Sequence, residues 1–391
     1  MFIYEGSSII KKVTILATFE NLGIKKVINA SGNNSRLGSS ILSKEVLYAM
    51  NEASKIYVNM DELHIRCGEF IAQITGAEAG LVTSGAAGGL LLSAAACITG
   101  TNIALMSELP KTAKGKEIII QKGHRTGYDQ AVRTFGVNLI EVGIPYQTYP
   151  EHIENAINEN TVAILFTFGE TVNRNGEVPL KDVIKIAKKH KIPTIVDGSL
   201  INYPFQRLKD CIAMGVDLLV TSGGKHIFGP PGTGFLCGKK DLVEACRLQA
   251  GPGYGIGRPL KIGKEEIIGL TTALEIYIKR DRDEEHKEWD KKIHYLVSKL
   301  NKLNNIEASQ TEFDEVDRPI PRARLLLDER KIKHNAYEIA KCLKSSEHPI
   351  WIQEFSLREG VILLNPVCLA DGEEELVVKG FHNLWQSWNL L

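Results

Sequence analysis

Residues 221–238 read TSGGKHIFGPPGTGFLCG. An apolar run, Leu218 to Thr221, enters this stretch as a β-strand, and a second short apolar strand leaves it. Between them, Lys225 follows the pair Gly223-Gly224, which lets the backbone bend tightly beside a ligand, while Gly229, Pro230, Pro231 and Gly232 set the return loop. Chains seldom place a lysine in such a turn for packing. Desolvation of an ammonium favours the neutral amine, the form that adds to an aldehyde to make an imine. The plain alternative is a surface lysine in a turn. Nucleotide binding by the same glycines fails on residue order, because the P-loop needs an earlier glycine and a Ser or Thr after the lysine, where this chain has His226.

Working outward, IPTIVDGS ends in Asp197, 28 residues before Lys225, and reads as a buried parallel strand with a carboxylate at its C-terminal edge. Ligands of open α/β sheets bind at that edge. A strand-end Asp alone is often a helix cap. Paired with Lys225 on a nearby strand, it becomes a candidate partner for a protonated ring nitrogen. Further upstream, Ser84, Gly85 and Ala86 lie between the strand LVT and an apolar helix, so the free N–H groups of that helix start are placed for a phosphate. An ordinary serine N-cap is the alternative there. Ser222, three residues before Lys225, adds a hydroxyl, and His124 in QKGHRTGYD is a candidate to lie on a flat cofactor.

These landmarks sit in a regular alternation. Short β-rich runs (Leu81 to Thr83, Glu117 to Gln121, Val162 to Phe166, Thr194 to Val196, Leu218 to Thr221) alternate with helix-like stretches such as Leu90 to Ile98 and Leu180 to His190. The order predicts an α/β domain around a mostly parallel sheet. Lys264 to Leu303 has helical periodicity and heavy charge, as expected of one long connecting helix, and beyond Ile306 short strands such as Arg324 to Leu327 suggest a smaller α/β domain. The expected division is an arm over 1–40, a large domain over 41–265, and the connecting helix with a small domain over 266–391.

Composition narrows the function. The chain has 391 residues, enough for two to three domains, and its 47 Lys+Arg balance 47 Asp+Glu, so no global field draws it to nucleic acid or an anionic membrane. Seven scattered cysteines without a C-x-x-C pair point to the reducing cytoplasm rather than to disulfides or zinc. The first residues, with Lys11 and Lys12 between two short apolar runs, have neither signal-peptide order nor spanning length. A metal site is not supported, since HExxH, His/Cys clusters and EF-hand spacing are missing, and no G-x-S-x-G elbow marks a serine hydrolase.

In order, the phosphate turn, loop histidine, strand-end Asp197 and Ser-x-x-Lys225 with its GPPGTG return resemble the fold-type I pyridoxal phosphate (PLP) enzymes. Within that superfamily the chain is similar to the selenocysteine synthase-like group, which includes D-glucosaminate-6-phosphate ammonia-lyase. VINASGNNSRLGSSILS, ITGAEAGLVTSGAAGGLLL, VDLLVTSGGKHIFGPPGTGFLCG and YGIGRPLKIGKEEIIGLTTALE carry the resemblance over about residues 27 to 276. It implies that Lys225 holds the cofactor as a Schiff base, that Asp197 pairs with the pyridinium nitrogen, that Ser84, Gly85, Ala86 and Ser222 hold the phosphate, and that His124 stacks on the ring. Two places after the aspartate, where the family typically has a small residue, Ser199 is a mild departure and a candidate cofactor contact. Arg258 and Lys261 match basic positions that bind anionic substrate groups, and Arg36, Arg322 and Arg324 are further candidates for clamping a carboxylate or phosphate, unless the last two are solvated strand-edge residues.

The resemblance implies a PLP-dependent lyase: Cα deprotonation of an amino acid or phosphorylated amino-sugar acid, then β-elimination to a 2-oxo acid and ammonia. A transferase, aldolase or racemase of the same group is the rival, and a non-catalytic PLP-binding protein the second. Two departures speak against a tRNA substrate. The roughly 25 residues before the first motif leave no room for the extra domain of the tRNA-using enzymes, and their arginine after Leu-Gly is displaced in Arg36-Leu37-Gly38-Ser39. Fold-type I sites usually draw on two subunits, which implies a homodimer or a multiple of dimers.

Overall fold

A computed structural model describes residues 18–168 and 176–391, so the reading of the first residues around Lys11 and Lys12 lies outside the described part. β1 (Ile28–Ala30) is the first strand described. β2 (Ala79–Thr83), β3 (Glu117–Gln121), β4 (Asn138–Val142), β5 (Thr161–Thr167), β6 (Thr194–Asp197), β7 (Leu218–Ser222) and β8 (Gly234–Gly238) form one sheet in the order β2-β8-β7-β6-β5-β3-β4. β8 runs antiparallel to both neighbours, and the other neighbouring pairs are parallel. The mostly parallel α/β sheet expected from the alternation is therefore present. Its strands are unbroken apolar runs because both faces are covered: Ile118, Ile119 and Ile120, successive residues that point to opposite faces, are all 0% exposed.

Three helices precede or follow the first sheet strand: α1 (Lys44–Ser54), α2 (Met60–Thr75) and α3 (Gly85–Thr99). α3, GAAGGLLLSAAACIT, carries no charge and is buried on nearly every side. Its small residues let it sit close to the sheet. A Cβ on Gly89 would stand 2.6 Å from Val220 Cγ1 on β7. Each leucine of Leu90 to Leu92 that is removed from water there contributes about 1.5–3 kcal/mol.

The chain divides into two compact units. Among the described residues, the larger holds 33–168, 176–286 and 312–320; the other holds 18–32, 287–311 and 321–391. In the second, β9 (Ile306–Thr311), β10 (Arg322–Leu327) and β12 (Val361–Leu364) make an antiparallel sheet in the order β12-β10-β9, and β1 pairs parallel with β11 (Ile350–Ile352). Its core gathers Ile28, Leu296, Leu325, Phe381 and Trp385.

Two expectations change. The single helix read over Lys264 to Leu303 is two, Lys264–Lys279 and Arg282–Leu300. Asp281 breaks it, since its Oδ1 accepts the N–H groups of Asp283 at 3.0 Å and Glu284 at 3.1 Å and so starts a new helix. Helix Lys264–Lys279 packs on α1 and α2 with Leu270 and Leu274 at 0% exposure, which places it in the larger unit and moves the division from 265 to after His286.

Candidate active site

Parallel strands end on the same side, and β2 shares that sense with β7 because each opposes β8. The segments after β2, β3, β5, β6 and β7 therefore leave one edge of the sheet. Register joins them into a line: Thr167 of β5 opposes Asp197, Asp197 opposes Val220, Ser222 opposes Gly234, and Gly234 opposes Thr83. Ser84, His124, Asp197, Ser222 and Lys225 all lie at or just beyond this line.

Ser84 occupies the N-cap position of α3, yet its side chain makes no capping bond. Its Oγ is buried without a hydrogen-bond partner among the described residues. An orphaned hydroxyl costs free energy, so the ordinary serine cap does not explain it. Gly85 follows at φ +68°, a left-handed conformation that turns the strand end into the helix start. A Cβ on Gly88 would stand 2.6 Å from Ser84 Oγ and close this hollow. The neighbouring Gly234 lies just as near, its Cβ position 2.8 Å from the Ala86 nitrogen.

The lysine turn is closely folded. Gly223 N–H donates to the Thr233 carbonyl at 2.8 Å, Gly229 N–H to the Gly223 carbonyl at 2.9 Å, and Phe228 N–H to the Lys225 carbonyl at 2.9 Å. Side chains are excluded here: a Cβ on Gly224 would stand 2.8 Å from Pro231 Cα, and one on Gly223 2.3 Å from Thr233 Oγ1. Lys225 itself is half-buried.

Asp197 is 7% exposed, and its Oδ1 accepts the Ser199 N–H at 3.0 Å and the Ser199 hydroxyl at 2.5 Å. His124 is 1% exposed, set edge-on to Phe166 with ring centroids 4.5 Å apart. Its Nδ1 accepts the Thr167 N–H at 3.4 Å, and its Nε2 shares a 2.8 Å hydrogen bond with Glu177. The ring is thus fixed at the end of β5, whose Thr167 is paired with Asp197.

The basic candidates are spread. Arg258 and Lys261 are exposed on a short turn whose Leu260 Cδ1 comes within 3.9 Å of a Cβ built on Gly88, above the first turn of α3. Arg36 is exposed on a turn tied to the lysine return loop, where Ser40 Oγ donates to the Gly229 carbonyl at 2.9 Å. Arg322 and Arg324 belong to the second unit, on β10. That strand is the centre of its sheet and Arg322 is 1% exposed, so the solvated strand-edge alternative does not hold for it.

Residues 27–310 match the SelA family, described as L-seryl-tRNA selenium transferase. The chain belongs to the SelA family. It is 32% identical over 94% of its length, and 91% of the relative's, to the 5'-C-glycyluridine monooxygenase-decarboxylase of a Streptomyces species. It is 31% identical over 92% of its length, and 95% of the relative's, to D-glucosaminate-6-phosphate ammonia lyase of Salmonella typhimurium. A solved structure of D-glucosaminate-6-phosphate ammonia-lyase aligns with a TM-score of 0.84 at 30% identity, covering 95% of this chain and 98% of that one. This member of the SelA family is accordingly a fold-type I enzyme with pyridoxal phosphate as cofactor.

The SelA-family site fits that cofactor. The partnerless Ser84 hydroxyl and the first N–H groups of α3 suit a phosphate, the strand-end carboxylate suits a ring N–H, and Lys225 follows β7, which lies between β2 and β6 in the sheet. Residues that sequence alone did not single out complete it. Asn202 is 0% exposed and its Nδ2 donates to the Ser222 carbonyl at 3.0 Å, while the Tyr277 hydroxyl donates to the Asn202 carbonyl at 2.5 Å. Burial pushes the Tyr203 and Tyr277 phenols up, which keeps both neutral. Tyr203 packs 5.3 Å from the His226 ring and shares a hydrogen bond with His286. No local pattern announces these partners, which are distant in sequence. Among the described residues no group of three or more His, Cys, Asp and Glu is placed to hold a metal, and no helix is long and apolar enough to cross a membrane.

Proposed function

We propose that this enzyme is a lyase acting on a small amino acid or phosphorylated amino-sugar acid with a β-hydroxyl, releasing a 2-oxo acid and ammonia. The observation that carries the reading is the single sheet edge on which an amine, a held carboxylate and an orphaned hydroxyl at a helix start stand together. The named activity of the Salmonella typhimurium relative, similar over nearly the whole of both chains, supports it.

Lys225 would hold the cofactor covalently, Asp197 supported by Ser199 would pair with its ring nitrogen, His124 would pack on the ring, and Ser84, Gly85, Ala86 and Ser222 would hold its phosphate. Pyridoxal phosphate, when bound, supplies an electron sink for bonds broken at the substrate Cα. Lys225 Nζ would take the proton from the substrate Cα. The β-hydroxyl would leave as water with the proton that Lys225 took from Cα, Cβ would then take up a proton, and water would displace ammonia at Cα, so that the net products are the 2-oxo acid and ammonia. Arg258, Lys261 and Arg36 would bind the anionic ends of the substrate.

The substrate on this reading is a free small molecule. A zero net charge and the displaced arginine of Arg36-Leu37-Gly38-Ser39 support that over tRNA. Seven free cysteines support a cytoplasmic enzyme, and the fold type supports a homodimer or a multiple of dimers.

A second reading is decarboxylation coupled to oxygenation, favoured by the 32% identity to the Streptomyces monooxygenase-decarboxylase. One assay separates the two. Purified enzyme with pyridoxal phosphate is offered phosphorylated amino-sugar acids and β-hydroxy amino acids, and ammonia, 2-oxo acid, CO2 and O2 are followed. Ammonia with stoichiometric 2-oxo acid and no O2 uptake supports the lyase. CO2 release with O2 uptake moves the assignment to the second reading, and no product from any amine removes both.

A further inference from the structure

Ser199 holds Asp197 by two bonds to one oxygen. Its N–H and its hydroxyl both donate to Oδ1, at 3.0 Å and 2.5 Å. A carboxylate oxygen has about two lone-pair directions, so Oδ1 is filled by these donors. The carboxylate cannot then turn about its Cβ–Cγ bond without breaking both. Oδ2 is the oxygen left for an outside donor, on a side chain that is 7% exposed and stands where β6 ends between β5 and β7.

We propose that Ser199 is a positioning residue that locks the Asp197 carboxylate so that Oδ2 alone is presented to the ring N–H of the bound cofactor. The inference rests on the reading of Asp197 given above. A small apolar residue at 199 would keep the backbone N–H contact and lose the hydroxyl. The plane of the carboxylate would then be held by one bond instead of two, and the ring nitrogen would share its proton with a less fixed acceptor.

The test loads wild type, Ser199→Ala, Ser199→Thr and Asp197→Asn with pyridoxal phosphate labelled with 15N in the ring. The nitrogen resonance is read at one pH, and the cofactor dissociation constant is measured by dialysis. Wild type and Ser199→Thr are expected to show the resonance of a protonated ring nitrogen. Ser199→Ala is expected to move it toward the unprotonated position and to weaken cofactor binding about tenfold, the scale of one hydrogen bond to a charged group. A merely structural serine would lower the melting temperature without moving the resonance. Should the alanine variant not fold, Ser199→Cys, close in size and a weak donor, gives the same comparison. If Ser199→Ala matches wild type in resonance and affinity while Asp197→Asn shifts the resonance, the positioning role is wrong and the site stands. If Asp197→Asn also leaves it unmoved, the reading of Asp197 fails and takes this inference with it.

Discussion

Asn202 Nδ2 donates to the Ser222 carbonyl at 3.0 Å, which ties the loop after Asp197 to the strand end before Lys225. The two residues are 20 apart in sequence, and Thr221 Oγ1 adds a second link by donating to the Gly198 carbonyl at 3.2 Å. Asn202→Ala leaves a carbonyl without its donor and is expected to cost about 1–3 kcal/mol in urea unfolding. Asn202→Asp sets an acceptor against that carbonyl and should cost more. An aspartate variant as stable as wild type would contradict the assigned bond.

Lys225→Ala should fold with an unchanged far-ultraviolet spectrum and lose turnover. Borohydride followed by peptide mapping should label Lys225 in wild type and nothing in the variant. Label on another lysine would reassign the attachment point.

Gly88→Ala separates cofactor binding from stability. Alanine suits a helix better than glycine by about 1 kcal/mol, so the fold should not suffer from the backbone change. The new Cβ, however, would stand 2.6 Å from Ser84 Oγ and force the hydroxyl aside. Weaker pyridoxal phosphate binding at unchanged or raised melting temperature is expected; unaltered affinity would remove Ser84 from the phosphate site.

His64 supplies a pH dependence. It is 3% exposed on α2, both ring nitrogens lack partners among the described residues, and burial holds its pKa below the ordinary 6.5, with Asp61 opposing and Arg247 adding to the shift. Folding keeps the ring neutral, whereas the unfolded chain takes up a proton as pH falls through about 6.5. Stability is therefore complete above that pH and is lost progressively below it. His64→Leu should flatten this acid slope and raise stability near pH 7, since no buried polar atom is left unpaired. Chemical unfolding from pH 5 to 8 is the check, and an unchanged slope would exclude His64 as its source.

Much of the site was legible because its chemistry is local. A lysine inside TSGGKHIFGPPGTG, an Asp closing IPTIVDGS and a serine-glycine turn before an uncharged helix are each set by a few neighbouring residues, and strand spacing alone fixed their order. The break at Asp281 was hidden because helical periodicity continues through it, and only a side chain capping two N–H groups shows the restart. Likewise β1 lies in a stretch without strand patterning of its own, and becomes a strand by pairing with β11 more than 300 residues away.

The amino-acid order by itself determined which groups are available and which edge of the sheet they leave: glycines where the backbone must bend, apolar runs where both faces are covered, a carboxylate and an amine at strand ends. Tertiary structure alone decided their state. That Ser84 makes no cap, that Ser199 fills one oxygen of Asp197, that Asn202 fastens Ser222 and that Glu177 engages His124 depend on side-chain positions within about 3 Å. Hydrogen bonds weaken steeply with distance and angle, so whether a polar group is satisfied or left waiting is settled only when the chain has packed.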